Sequence, residues 1–194
     1  MKYSLNRLIL IDSYKEGELQ EVRLNGHTNL NGVNGAGKTT LLRLIPLFYG
    51  ERPGRLVPKS RVTDSFVKHY LPRESSYIIF EYQRAEQVCM VAIYASPNDE
   101  GLCYRFIDKS FAAEDFIEQH EDGVQYPISC RQLKTHLLKR QVQYSNQITA
   151  CSDYRTIIQN LPHNKGQEIR QLIARYSFCQ GSSGRRLKDI EKII

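Results

Sequence analysis

Residues Gly32-Val33-Asn34-Gly35-Ala36-Gly37-Lys38-Thr39 make a complete G-x-x-x-x-G-K-T string, and few local sequences restrict a fold so tightly. Its glycines permit positive φ angles and close backbone approach, so that successive N–H groups turn inward around phosphates. Lys38 is placed to reach the β- and γ-phosphates and Thr39 to offer its hydroxyl to Mg²⁺. The helix that opens here points its positive end at the nucleotide. Such a loop needs a strand in front and a helix behind. His27 to Asn31 reads as that strand and Thr39 to Tyr49 as that helix, with Pro46 expected to kink or shorten it.

Apolar content of 41% and charged content of 25% over 194 residues are those of a globular chain with one good core, or of one lobe of something larger. The sequence has no apolar run of transmembrane length, and Met1 to Arg7 leads into a strand rather than a signal peptide. A cytoplasmic setting is therefore expected. Cys89, Cys103, Cys130, Cys151 and Cys179 are odd in number, widely spaced and without a C-x-x-C pair, a pattern of reduced core residues. The net charge of +6 is compatible with a nucleic-acid partner without requiring one. Arg52, Arg55, Lys59, Arg61 and Lys68 cluster with Pro53, Gly54 and Pro58 in a basic loop after the helix, which reads as a solvated loop, as a DNA contact or as the source of a trans-acting arginine.

Three early strands are predicted: Tyr3 to Asp12, Gln20 to Leu24 and His27 to Asn31. A second group follows at Ser76 to Arg84, Gln87 to Ser96 and Leu102 to Asp108, joined by short polar turns. Consecutive strands with such turns make an antiparallel meander rather than βαβ units. Beyond Phe111 the pattern predicts helices over Ala113 to Glu121, Ser129 to Arg140, Ser152 to Gln159 and Gln167 to Ser177, with Ser129 and Ser152 as N-caps. Leu187 to Ile194 has helical spacing and reads as a helix cut short, as in a fragment.

A self-contained phosphate-loop enzyme needs an acid at the end of an apolar strand to hold Mg²⁺. Leu8-Ile9-Leu10-Ile11-Asp12 precedes the glycine loop, and Tyr77-Ile78-Ile79-Phe80-Glu81 falls in the meander. Both read as ordinary strand ends. No Leu-Ser-Gly-Gly signature is found; Gly181-Ser182-Ser183-Gly184 is the nearest string. The sequence therefore supplies a loop able to hold a nucleotide without an evident second half.

The opening strands and Asn31-Gly32-Val33-Asn34-Gly35-Ala36-Gly37-Lys38-Thr39-Thr40-Leu41-Leu42 resemble the N-terminal head lobe of SMC proteins and their relatives. The stretch from Leu133-Lys134 through Tyr144-Ser145-Asn146-Gln147-Ile148 to Ser152-Asp153-Tyr154-Arg155 looks closest to the MukB-like and Wadjet-type (JetC-like) branch. The resemblance spans most of the chain, and its glycine-loop part is the more specific. It implies an α/β fold, a P-loop NTPase head of ABC/SMC type. Residues 1–194 would be its N-terminal lobe, with a mixed sheet, an antiparallel β-meander and C-terminal helices, truncated where a coiled coil starts.

The same resemblance implies ATP and Mg²⁺ as cofactors. Asn34, Gly35, Ala36 and Gly37 would wrap the β-phosphate, Lys38 bind phosphate, Thr39 ligate Mg²⁺ and Thr40 touch the α-phosphate. Gln147, with Gln143 as second choice, would complete the Mg²⁺ shell. Arg52 or Arg55 would act near the γ-phosphate, and Tyr14 or Ser13 would face the adenine. Implied partners are a C-terminal head lobe carrying the signature and Walker B motifs, a second head, DNA and accessory kleisin-type subunits, with a nucleoid-associated location. Hydrolysis is expected only when those motifs are supplied. The competing readings are a self-contained nucleotide kinase or GTPase, in which Asp12 or Glu81 ligates Mg²⁺, and a binding module whose loop is vestigial.

Overall fold

The computed structural model describes residues 3–24, 38–57, 65–98, 101–120 and 123–179, with the backbone alone for residues 38–40. The glycine run Gly32 to Gly37, the expected strand His27 to Asn31, Lys59, Arg61 and the expected terminal helix Leu187 to Ile194 lie outside the described residues.

Nearly continuous apolar runs form the central strands. In β1 (Tyr3–Ile11), β3 (Tyr77–Arg84), β4 (Gln87–Ala95) and β5 (Leu102–Ile107), neighbouring side chains point to opposite faces and both faces are buried. A strand covered on both sides reads as a continuous apolar run rather than an alternation. Only β2 (Leu19–Arg23) alternates between exposed and half-buried positions, as suits the margin of the sheet. The order is β2-β1-β3-β4-β5, and every pairing is antiparallel.

The expected meander is present within one residue at each strand end, but it does not lie beside a separate sheet. β3 pairs directly with β1, with Ile9 opposite Ile79 and Leu8 opposite Phe80, so the meander and the opening strands are one sheet. The expected mixed sheet is, among the described residues, wholly antiparallel.

Two cores flank this sheet. On the first face, Leu8, Leu10, Ile78, Phe80, Tyr82 and Val91 meet Leu44, Leu47 and Phe48 of α1 (Lys38–Phe48), Phe66 and Tyr70 of α2 (Phe66–Tyr70), and the later helices. On the second, Ile9, Ile11, Tyr77, Ile79, Met90 and Ala92 meet Phe116 and, from α3 (Cys130–Lys139), Leu133 and Leu137. The result is a three-layer helix–sheet–helix arrangement. α4 (Cys151–Gln159) and α5 (Gln167–Tyr176) place Tyr154, Ile157, Ile158, Ile173 and Tyr176 in the first core, beside α1.

Two expectations after Phe111 are corrected. The helix expected over Ala113 to Glu121 is not found among the described residues of that stretch: a 3-10 turn at Ala113–Asp115 leads into β6 (Ile117–Gln119), which pairs with β7 (Gln125–Pro127) as a hairpin. Phe116 is drawn into the second core, and Gly123 takes φ +79° in the turn, a conformation that glycine adopts without steric cost. Ser129 does cap α3, its side chain accepting from the Arg131 N–H at 3.3 Å. Ser152 does not cap α4; the N-cap is Ala150, which offers no side-chain acceptor.

Candidate functional site

α1 begins at Lys38, directly after the glycine run, and its first turn contains no acidic residue. The unpaired N–H groups and the positive end of the helix dipole are therefore not neutralised from within the helix, a setting that suits an anion. Leu44, Leu47 and Phe48 are fully buried against the sheet, which fixes the axis of α1. The helix runs through Pro46 and ends at Phe48, 11 residues long, within one residue of the expected span at either end.

The end of β1 turns toward this helix. Asp12 adopts φ +44°, Ser13 is buried and donates to the Tyr70 carbonyl, and Tyr14 emerges half-exposed with its ring edge-on to His69 at 6.1 Å. Burial raises the Tyr70 phenol above its ordinary value, with the Arg43 charge from α1 opposing and Tyr14 adding to the rise. Tyr14, His69 and Tyr70 are thus neighbours, and the Arg43 charge of α1 is near enough to act on Tyr70. Of the expected adenine contacts, Tyr14 is accessible and Ser13 is not.

The other expected site residues lie elsewhere. Arg52 and Arg55 follow the C-terminal end of α1, around a 3-10 turn at Pro53–Arg55, and Arg55 pairs with Glu51 at 3.4 Å. A helix of 11 residues is about 16 Å long, so both arginines sit at the far end from Lys38. Gln147 belongs to a segment that lies along the edge of β5, with Tyr104 bridged to Ile148 and Ile107 to Tyr144. Its amide accepts from the Tyr94 hydroxyl at 3.3 Å and donates to Cys103 Sγ at 2.9 Å. Tyr94 and Cys103 line the second core, so this side chain is engaged on the face opposite α1. Gln143 accepts from Arg175 at 2.9 Å. The structure brings neither glutamine to the helix N-terminus.

Both acids at apolar strand ends are engaged through both of their carboxylate oxygens. Asp12 Oδ1 accepts from the Gly17 N–H at 2.8 Å and from Arg73 Nε at 2.7 Å, and its Oδ2 accepts from Ser75 Oγ. Glu81 accepts from both Arg7 Nε, at 2.9 Å, and a second Arg7 nitrogen, and also from the Phe111 N–H at 2.8 Å. This pairing holds the Arg7 guanidinium above its ordinary value, chiefly through the hydrogen bond to Glu81. Glu81 lies beside Arg7 and Phe111, away from α1. Among the described residues no group of three or more His, Cys, Asp or Glu side chains is arranged to hold a metal ion, and no helix is long and apolar enough to cross a membrane.

Residues with no expected role also touch α1. Tyr154 donates to the Phe48 carbonyl at 2.7 Å, Gln159 donates to the Tyr49 carbonyl, and Phe178 packs its ring against Phe48 at 5.1 Å. The Asp153-Tyr154 pair opening α4 was the one sequence signal pointing to this region.

A family model described as protein of unknown function (DUF3584) matches residues 9–194, and that family is associated with RecF/RecN/SMC-like proteins. No curated protein matches the chain.

Proposed function

The chain belongs to this family of unknown function, DUF3584, and on that basis we propose that it is the ATP-binding half of an SMC-like ATPase head. Gly32 to Thr39 would hold the phosphates of ATP·Mg²⁺ at the start of α1, with Lys38 on the β- and γ-phosphates, Thr39 on the metal and Thr40 on the α-phosphate. A bound Mg²⁺ would supply charge neutralisation between the phosphates. Tyr14, half-exposed, is available to an adenine ring.

One observation carries the composite character of the site. The two acids that a complete phosphate-loop ATPase would draw on, Asp12 and Glu81, are both consumed in ion pairs that hold the sheet and its turns together. The acid and the signature loop would come from another segment or chain, and head engagement around ATP would then be coupled to DNA. Chromosome organisation, repair and anti-plasmid defence are the processes such a head serves, and the MukB-like or JetC-like branch is the one its sequence favours. A second head, DNA and kleisin-type subunits are the corresponding partners. The Mg²⁺ ligand from the protein beyond Thr39 is left to a residue other than Gln147 in its described position.

Titration of the chain with a fluorescent ATP analogue and Mg²⁺ tests this reading. Saturable binding is expected, lost in Lys38→Ala, without steady-state phosphate release. Turnover by the chain alone, abolished by Lys38→Ala, would instead establish a self-contained enzyme. Equal binding by both forms would make the loop vestigial.

A further inference from the structure

The C-terminal end of α1 is gripped from outside the helix. A helix leaves its last four carbonyls without intrahelical donors. Here the Pro46 carbonyl accepts from the Tyr49 and Glu51 N–H groups at 3.1 and 3.0 Å, and the Leu47 carbonyl from the Gly50 N–H at 3.0 Å. The next two are met by side chains of α4: Tyr154 Oη on Phe48 O at 2.7 Å, and Gln159 Nε2 on Tyr49 O.

Gly50, at φ +79°, lies flush against α4, where a Cβ would come within 2.9 Å of Arg155 Cα. The grip matters because Pro46 donates no hydrogen bond to the preceding turn, so the last turn of α1 depends on outside partners.

The segment leaving α5 closes the same grip. Phe178 sets its ring edge-on to Phe48, Tyr49 and Tyr82 at 5.1, 5.9 and 5.9 Å, and its N–H donates to the Ile158 carbonyl at 2.8 Å. Tyr82 and Arg84 of β3 donate to the Tyr176 and Ser177 carbonyls at 2.7 and 2.9 Å. The N-terminal end of α1 and the chain around Ser177 to Cys179 are therefore joined through one short helix and one aromatic cluster.

We propose that Tyr154, assisted by Gln159 and Phe178, is a positioning residue for the phosphate loop. It fixes α1 along its axis and so fixes where Lys38 presents its backbone, about 16 Å away. The inference rests on the nucleotide reading above. By linkage, a nucleotide held at the loop in turn stabilises the grip on α1, of which the segment Ser177 to Cys179 forms part.

The test compares two variants of the 194-residue chain. Tyr154→Phe removes one buried hydroxyl–carbonyl bond at the grip. Tyr77→Phe removes its chemical equivalent, the Tyr77 bond to the Ile128 carbonyl at 2.7 Å, on the opposite face of the sheet. Both are expected to lower stability alike. Only Tyr154→Phe should raise the Kd for the ATP analogue, by about fivefold, the equivalent of one neutral hydrogen bond of about 1 kcal/mol.

Kd values that are unchanged, or raised equally, in the two variants would overturn the positioning role while leaving nucleotide binding intact. Failure of the unaltered chain to bind would overturn both. Amide exchange over 176–179 should slow when the analogue binds to the unaltered chain; unchanged exchange there would refute the reciprocal coupling.

Discussion

Replacement of Asp12 separates the two roles open to a strand-end acid. Its carboxylate accepts from Gly17, Arg73 and Ser75, and its carbonyl accepts from Arg73 at 3.0 Å and from Ser76. Charge-assisted bonds contribute about 1.5–3 kcal/mol each when buried. Arg73 is about one-third exposed, which places its share at the lower end of that range.

Asp12→Asn keeps one amide oxygen and tolerates the φ of +44°, so a loss of about 1–2 kcal/mol is expected. Asp12→Ala forfeits every side-chain acceptor and adds left-handed strain of about 1 kcal/mol, for a total of about 3–4 kcal/mol. In a domain of this size that corresponds to a Tm lower by roughly 6–16 °C. Urea unfolding with linear extrapolation measures the free energies, and ATP-analogue titration with and without Mg²⁺ measures binding. A stable Asp12→Asn chain that has lost Mg²⁺-dependent binding would refute the structural assignment and make Asp12 a metal ligand.

Two further outcomes follow from the packing. Gly50→Ala meets both left-handed strain and the backbone of α4, and should cost about 2–4 kcal/mol. Gly17→Ala, at φ +66° with open space around it, should cost only about 1 kcal/mol; equal losses in urea unfolding would contradict the close approach of α1 to α4. Burial pushes the Cys89 thiol up to about 12 from an ordinary 9.0. The folded state therefore holds this proton where the unfolded chain has lost it, and the stabilisation is intact below pH 9 and disappears as pH rises from about 9 to about 12. Cys89→Ala should flatten the alkaline fall in stability measured by urea unfolding across that window; an unchanged slope would show that Cys89 is not its source.

The sheet's strands were legible because each signal was local. Tyr77–Arg84, Gln87–Ala95 and Leu102–Ile107 are apolar runs bounded by Arg84-Ala85-Glu86 and by Pro97 to Gly101, and their hairpin order requires no distant information. Residues 113–121 were misread because Ala113, Ala112 and Glu114 favour helix locally, whereas burial of Phe116 and the turn at Gly123 prevail. Asp122-Gly123, a strong hairpin signal, marked the turn. Ser152 was misread as a cap because capping preference and apolar periodicity fix a helix start only to within a residue or two. The occupation of Asp12 and Glu81 was not legible at all, since their partners Arg73 and Arg7 are 61 and 74 positions away.

By itself the sequence determined the glycine-rich string, the helix behind it and the meander, because backbone permissiveness, side-chain periodicity and residue type are properties of short segments. Only the tertiary structure decided that β3 pairs with β1, that Gln147 faces away from α1, and that Tyr154, Gln159 and Phe178 converge on the end of that helix. Those outcomes depend on which faces of distant elements bury one another; even between β1 and β3, a one-residue change of register would send the strand side chains to the opposite side of the sheet.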